Sequence, residues 1–289
     1  MPVSAASTRS GMVASLLRFC KRKPLGAIGG LGVALMVVVA LAAPIIAPYD
    51  PYAMDYGAAL TTPGGQYLLG TDNFGRDVFS RIVYGARISL YVSLLAIALG
   101  TGTGAVLGVV SGYVGGRADI IIQRSLVDVV MAFPTLVLAL GMVSVLGPSV
   151  ENVIIAIATV QMPRSARIVR SAAISVRECE YVTAAKALGA GSLRIVFLHV
   201  VPNCIAPYIV YATAALGAAV IVEASLSFLG VGSPPPTPSW GGMLAGVGRE
   251  YMEAAPWMAL YPGVALSLAV FGFNLLGDSL RDVLDPRLR

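Results

Sequence analysis

The sequence predicts an all-α fold built from six membrane-spanning helices. Three observations carry that prediction. Of the 289 residues, 57% are hydrophobic and only 12% charged; the mean hydropathy is +0.80; and the apolar residues gather into runs long enough to cross a bilayer. An ordinary soluble domain carries about a quarter charged residues. A spanning helix needs roughly 20 mainly apolar residues, because lipid offers no water to the backbone and each segment must satisfy its own N–H and C=O groups.

The first run, 25–47, follows Arg18, Lys21, Arg22 and Lys23. A basic flank before an apolar run also describes a secretory signal, with Ala40-Leu41-Ala42 as the cleavage site. This run exceeds the roughly 7–15 residues of a signal core and further spans follow, so it is expected to stay as an uncleaved first helix. The second run, 88–112, holds Gly100, Gly102, Gly104 and Gly108, predicted to let another helix approach closely. The third is 126–146. The fourth, 149–166, is the weakest, with Glu151 and Asn152 near its start and Met162-Pro163-Arg164 near its end. The fifth, 206–229, contains Glu223 with Ser227 one turn on, and the sixth is 257–277. The chain thus divides into a segment 1–24, a six-helix membrane-spanning domain 25–277 and a tail 278–289.

Lysine and arginine set the orientation. With the N-terminus inside, sixteen of the 20 basic residues fall in inside segments, leaving Arg76, Arg81, Arg87 and Arg249 outside. The positive-inside rule then places both termini in the cytoplasm. Of the outer segments, 70–87 reads as an amphipathic surface helix: Val78, Phe79, Ile82, Val83 and Ile88 recur at helical spacing, and Asp77 and Arg81 form an i,i+4 pair on another face. The other, 230–256, opens "GVGSPPPTPSWGGML", where consecutive prolines stiffen the chain and Trp240 suits an interface.

The inside segment 178–203 includes "EYVTAAKALGAGSLRIVFLHVVPN". Glu180–Leu188 are good helix formers, Gly189 and Gly191 allow a sharp turn, and Ser192 can cap a second short helix that Pro202 ends. Two short helices at an angle, presenting Ala184, Ala185 and Ala187, make a knuckle on which another body can come close. Lys186 and Arg194 are available to acidic groups on that body, or are solvated charges of little consequence. Glu223 stands mid-span, where an ionised group costs about 3 kcal/mol on insertion scales. It either faces the path, meeting a substrate amine, or hydrogen-bonds to a neighbouring helix as part of a gate.

Several function classes are disfavoured. The basic residues lie in short runs between apolar stretches, which is no nucleic-acid footprint. Cys20, Cys179 and Cys204 have neither disulfide nor metal-ligand spacing, and His199 stands without companions, so no metal site is predicted. An ion-coupled secondary transporter also uses rare intramembrane carboxylates, but the internal repeat common in that class is not evident. No nucleophile–base set points to an enzyme.

The stretch Thr183-Ala184-Ala185, followed by Gly189 and closed by Pro202, resembles the EAA loop of binding-protein-dependent ABC importer permeases. "LGTDNFGRDVFSRIVYGARISL" from Leu69, "EASLSFLGVGSPPPTPSWGGML" from Glu223 and the tail "GDSLRDVLDPRLR" are similar to the dipeptide, oligopeptide and nickel permease subfamily, and to its C-type subunit. Thr183 stands where the motif's glutamate is common, and His199 and Val201 replace its isoleucine and leucine. The resemblance implies the type I importer permease fold in a bacterial plasma membrane, with Thr183, Ala184, Ala185, Lys186, Ala187, Leu188, Gly189 and Arg194 coupling to a cytoplasmic ATPase. It implies Glu223 and Ser227 in the path or gate, and Asp77, Arg81 and Trp240 as outer contacts for an extracytoplasmic substrate-binding protein. Its partners would be a homologous B-type permease subunit, two ATPase subunits or one fused ATPase, and a peptide cargo, with nickel chelates or haem as alternatives. The sequence has no G-x-x-x-x-G-K-[ST] phosphate loop. No cofactor is therefore expected on this chain, and ATP and Mg²⁺ belong to the ATPases.

Overall fold

Ten helices of six residues or more order the described residues of the computed structural model, 23–245 and 249–284. Nearly all of the expected N-terminal segment, residues 246–248 and the end of the tail lie outside the described residues. The helices are α1 (Pro24–Leu41), α2 (Val78–Val114), α3 (Gly116–Met131), α4 (Thr135–Leu146), α5 (Val150–Arg177), α6 (Glu180–Ala187), α7 (Ser192–Phe228), α8 (Trp240–Ala245), α9 (Arg249–Ala254) and α10 (Trp257–Leu284). Among the described residues α1, α2, α7 and α10 are each long and apolar enough to cross a membrane, and α3 with α4 makes a fifth if the bent pair is one span. The fourth expected span lies within α5, which does not meet that standard because it carries Glu151 and four arginines.

The bundle is organised on α2 and α5. Gly100, Gly104, Gly108 and Gly112 fall on one ridge of α2, four residues apart. A β-carbon on each would come under 3 Å from the backbone of Ala158, Met162, Ala166 and Arg170, which are spaced by four along α5. The helices therefore touch backbone to backbone over four rungs, as small residues permit. Ser165 Oγ donates to Thr101 O at 2.7 Å between the rungs. Gly102, expected to share this role, faces open space, and Gly112 completes the ladder instead. On the other side, α10 lies against α1 through Gly29 and against α7 through Gly217 and Gly277.

Three local expectations are corrected. Segment 70–87 is no separate surface helix. Residues up to Asp77 form a loop, and from Val78 the chain is already the first turns of α2, with Val78, Ser80, Arg81, Val83, Gly85 and Ala86 all buried. The third span is broken: α3 and α4 meet at 90°, because Pro134 has no N–H to continue a helix and pushes Phe133 out of the helical region. Pro163 lies inside α5 without interrupting it, between rungs at Ala158, Met162 and Ala166 that support both flanks. Pro202 does not end the knuckle either. A π-helical turn at Val196–Val200 carries α7 through it, and Asn203 Nδ2 donates to His199 O at 2.7 Å, occupying a carbonyl near the break.

Candidate functional site

The segment between α5 and α7 stands at the arginine-rich end of the bundle. Helix α6 begins after Cys179 and has Glu180 in its first turn, where a carboxylate suits the positive end of the helix dipole. One side is pinned: Val182 and Ile195 are buried among Val169, Ala173, Val176, Val200 and Cys204. The other side is open. Thr183, Ala184, Lys186, Ala187, Leu188 and Gly189 are exposed and Ala185 is half-buried, with Leu188 89% exposed and Leu193 beside it 76% exposed.

The joint is a Schellman motif. Gly189 N donates to Lys186 O at 2.9 Å and Ala190 N to Ala185 O at 3.0 Å, while Gly189 has φ +83°, a conformation that glycine adopts without strain. After it the chain enters α7, 37 residues long and therefore about 55 Å at 1.5 Å per residue. The exposed knuckle is thus joined through one short turn to this long helix.

Charged contacts fix the base under α6. Arg170 donates two hydrogen bonds to Asp119, Nε to Oδ1 at 2.6 Å and Nη2 to Oδ2 at 2.5 Å, and Ser111 Oγ donates to the same carboxylate. Arg177 Nη1 donates to Gly112 O at 3.2 Å, and Arg167 reaches Asp128 at 2.7 Å. Lys186 Nζ lies 5.8 Å from the centre of the Tyr113 ring, a cation–π contact that ties α6 to the end of α2. Arg194 is exposed. Burial against the bundle, then the neighbouring Cys179, pushes the Tyr181 phenol above its usual value; as a neutral hydroxyl it accepts from Asn203 Nδ2 at 3.4 Å.

Glu223 is 0% exposed. Ser89 Oγ on α2 donates to its Oε2 at 3.0 Å, and Ser227 Oγ donates to its Oε1 at 2.9 Å. Of the two roles open to it in the sequence, this geometry is that of a strap between helices α2 and α7, with Ser227 5% exposed in the same belt. Ser89 was not anticipated: nothing in its local sequence marks it as the partner of a residue 134 positions away.

Asp77, Arg81 and Trp240, the expected outer contacts, are all buried. Asp77 caps α2 by accepting from Ser80 N at 2.8 Å and Ser80 Oγ at 2.6 Å. The expected Asp77–Arg81 pair does not form. Arg81 lies instead 3.8 Å from Asp72 and donates to Pro51 O at 2.9 Å and Pro236 O at 3.4 Å, because capping turns the Asp77 carboxylate back toward the helix start. Trp240 Nε1 donates to Ile82 O at 3.0 Å, with its ring over Gly85. These three side chains lash the proline-rich loop and the 50–77 loop onto α2.

With this geometry established, relatives give the class. Residues 104–289 match the model of the binding-protein-dependent transport system inner membrane component, and residues 14–63 match the N-terminal transmembrane domain of oligopeptide transport permease C. The chain belongs to the binding-protein-dependent transport system inner membrane component family. It is 42% identical over 269 residues to the dipeptide transport system permease protein DppC of Alkalihalophilus pseudofirmus, covering 93% of this chain and 88% of that one. It is 45% identical over 271 residues to the di/tripeptide transport system permease protein DppC of Pseudomonas aeruginosa, covering 91% and 89%. It is 39% identical over 269 residues to the glutathione transport system permease protein GsiD of Pectobacterium atrosepticum, covering 93% and 89%. A chain of the inward-facing MetNI methionine ABC transporter superposes with a TM-score of 0.57 at 19% identity, over 71% of this chain and 96% of that one. That likeness is one of fold, the ABC importer permease fold.

Proposed function

We propose that this chain is one half of the membrane channel of an ATP-driven importer of short peptides, and that α6 with Gly189 is the surface on which a cytoplasmic ATPase docks. The observation that carries the proposal is the exposed knuckle Thr183–Gly189, pinned from behind by Val182 and continuous with α7. The similarity to dipeptide and di/tripeptide transport permeases supports peptides as cargo. On this proposal the arginine-rich end, with both termini, is cytoplasmic; a homologous B-type subunit supplies the other half of the path; an extracytoplasmic binding protein delivers the peptide; and ATP and Mg²⁺ are held by separate ATPase chains. Closure of the ATPases displaces α6, and α7 carries that displacement to the Glu223 belt. Glu223 and Ser227 act there as a hinge strap between helices, while Asp77, Arg81 and Trp240 shape the outer loops that the binding protein meets.

Ala184→Trp adds bulk to the exposed face of α6 without touching Gly189's backbone. The complex is expected to assemble in the membrane and to lose both peptide uptake and peptide-stimulated ATP hydrolysis. Uptake at the parental rate sinks the docking proposal. Topology is tested separately with Cys179 in a C20S/C204S chain. A maleimide that cannot cross the membrane should label it only after the cells are permeabilised, and labelling of intact cells reverses the orientation.

A further inference from the structure

An apolar groove of about 520 Å³ opens on the side of the bundle at the arginine-rich end. One wall is the last third of α2, from Ala105 to Val114; the other is the first half of α7, from Ser192 to Tyr208; Val169 of α5 is the floor. Val106, Val114, Leu193 and Phe197 on these walls are between 63% and 76% exposed. Among the described residues none covers the groove.

Its length and its charge select an occupant. Ten residues of α2 wall rise about 14 Å, close to the roughly 15 Å that one leaflet contributes to a hydrocarbon core of about 30 Å. The groove runs along the helices, hence along the membrane normal, and its lining is aliphatic and aromatic almost throughout. At the end where the α2 wall stops, Lys186 Nζ lies 5.8 Å from the ring of the lining Tyr113, and exposed Arg194 follows the lining Leu193. Two cations, Lys186 beside the α2 wall and Arg194 beside the α7 wall, over a leaflet-deep apolar slot match one ligand chemistry, a phospholipid with a negatively charged headgroup.

We infer that this groove seats an acyl chain of an anionic phospholipid of the inner leaflet, with its headgroup at Lys186 and Arg194. The inference rests on the proposed cytoplasmic placement of the arginine-rich end. The π-helical turn Val196–Val200 forms part of the wall, so a seated lipid braces the segment that joins α6 to the span. Lipid composition then regulates how firmly the knuckle is coupled to α7.

The test is fluorescence quenching in the complete transporter, the full chain with its partner subunits, in nanodiscs. Phe197→Trp puts a reporter in the groove, and Leu268→Trp on α10, 65% exposed, reports ordinary lipid contact. Brominated phosphatidylglycerol is compared with brominated phosphatidylcholine at equal mole fraction. Each basic residue beside an anionic headgroup is worth roughly a fivefold preference. The groove reporter should therefore show a preference for phosphatidylglycerol of about tenfold or more, the α10 reporter little or none, and Lys186→Gln with Arg194→Gln should abolish the difference. Val109→Trp is a second groove reporter that must give the same preference. Equal quenching by the two lipids at both groove positions overturns the inference, because the groove is then plain lipid-facing surface. Absence of quenching by either lipid also overturns it, because a protein segment then fills the groove. A failed docking proposal shows up independently, as loss of the ATPase from the purified complex.

Discussion

Replacing Gly104 and Gly102 by alanine, one at a time, sets the backbone ladder against the intrinsic cost of glycine in a helix. Two residues apart on α2, the two glycines have the same helical backbone and differ in what a methyl group would meet. At Gly102 it meets nothing within 4 Å; at Gly104 it comes under 3 Å from Met162 O and Ser165 Cβ. Alanine is favoured over glycine in a helix interior by about 1 kcal/mol, so Gly102→Ala should gain up to that amount. At Gly104 the same gain is set against overpacking of about 1–3 kcal/mol. The obstructing atom is a backbone carbonyl, so no rotamer change relieves it; α2 and α5 must separate, and neighbouring rungs loosen with them. The expected gap between the variants is about 2 kcal/mol, or roughly 4–8 °C in melting temperature on the soluble-domain scale. Thermal unfolding of the detergent-solubilised complex, followed by tryptophan fluorescence, measures it. Once the helices have parted, Gly108→Ala in the Gly104→Ala chain should cost less than it does alone. Equal melting temperatures for Gly102→Ala and Gly104→Ala would refute backbone contact as the organising feature of the bundle.

Four further outcomes follow from the sites. Glu223→Gln can still bond both serines, so it should transport with unaltered peptide preference. Glu223→Ala and Ser89→Ala should be non-additive in stability by about 0.5–3 kcal/mol; strict additivity would show that the Ser89–Glu223 bond does not hold α2 to α7. Trp240→Ala removes the bond to Ile82 O and the ring over Gly85, and should lower stability by about 3–5 kcal/mol, read as faster cleavage of the proline-rich loop by protease added to intact cells. Arg170→Lys keeps the charge but loses the two-pronged geometry on Asp119; it should destabilise the complex more than Arg167→Lys, whose partner Asp128 is half-exposed, in the same thermal assay.

The spans were legible because the bilayer imposes a length and a composition that one sequence displays by itself. Among the described residues four of the expected runs coincide with helices long and apolar enough to cross, the first of them ending at Leu41 rather than 47, while the third falls in the bent pair α3–α4 and the fourth in α5; the knuckle's turn was legible in Gly189 and Gly191. What failed was punctuation. Proline stops a helix when its freed carbonyl has only local remedies. In this bundle Pro163 lies between rungs that hold both flanks, and Pro202 follows a π-helical turn with Asn203 occupying the carbonyl of His199, so neither breaks its helix. Pro134 has no such support and gives a 90° bend. The difference is tertiary, and no spacing rule applied to a single segment detects it.

The same reasoning explains why Glu223 was noticed and its role was not. Its expense in a span follows from the residue type alone, but the remedy lies on another helix, in a serine whose neighbours are unremarkable. Asp77, Arg81 and Trp240 are the converse case: charged or aromatic residues in an outer segment invite a partner, yet each finds its own within the chain, in Ser80, Pro51 and Ile82. A polar residue in a sequence therefore predicts that a partner exists. Leu188 and Leu193 at the knuckle, with Arg194 following, keep their surface open after folding, and for them that partner must be another molecule.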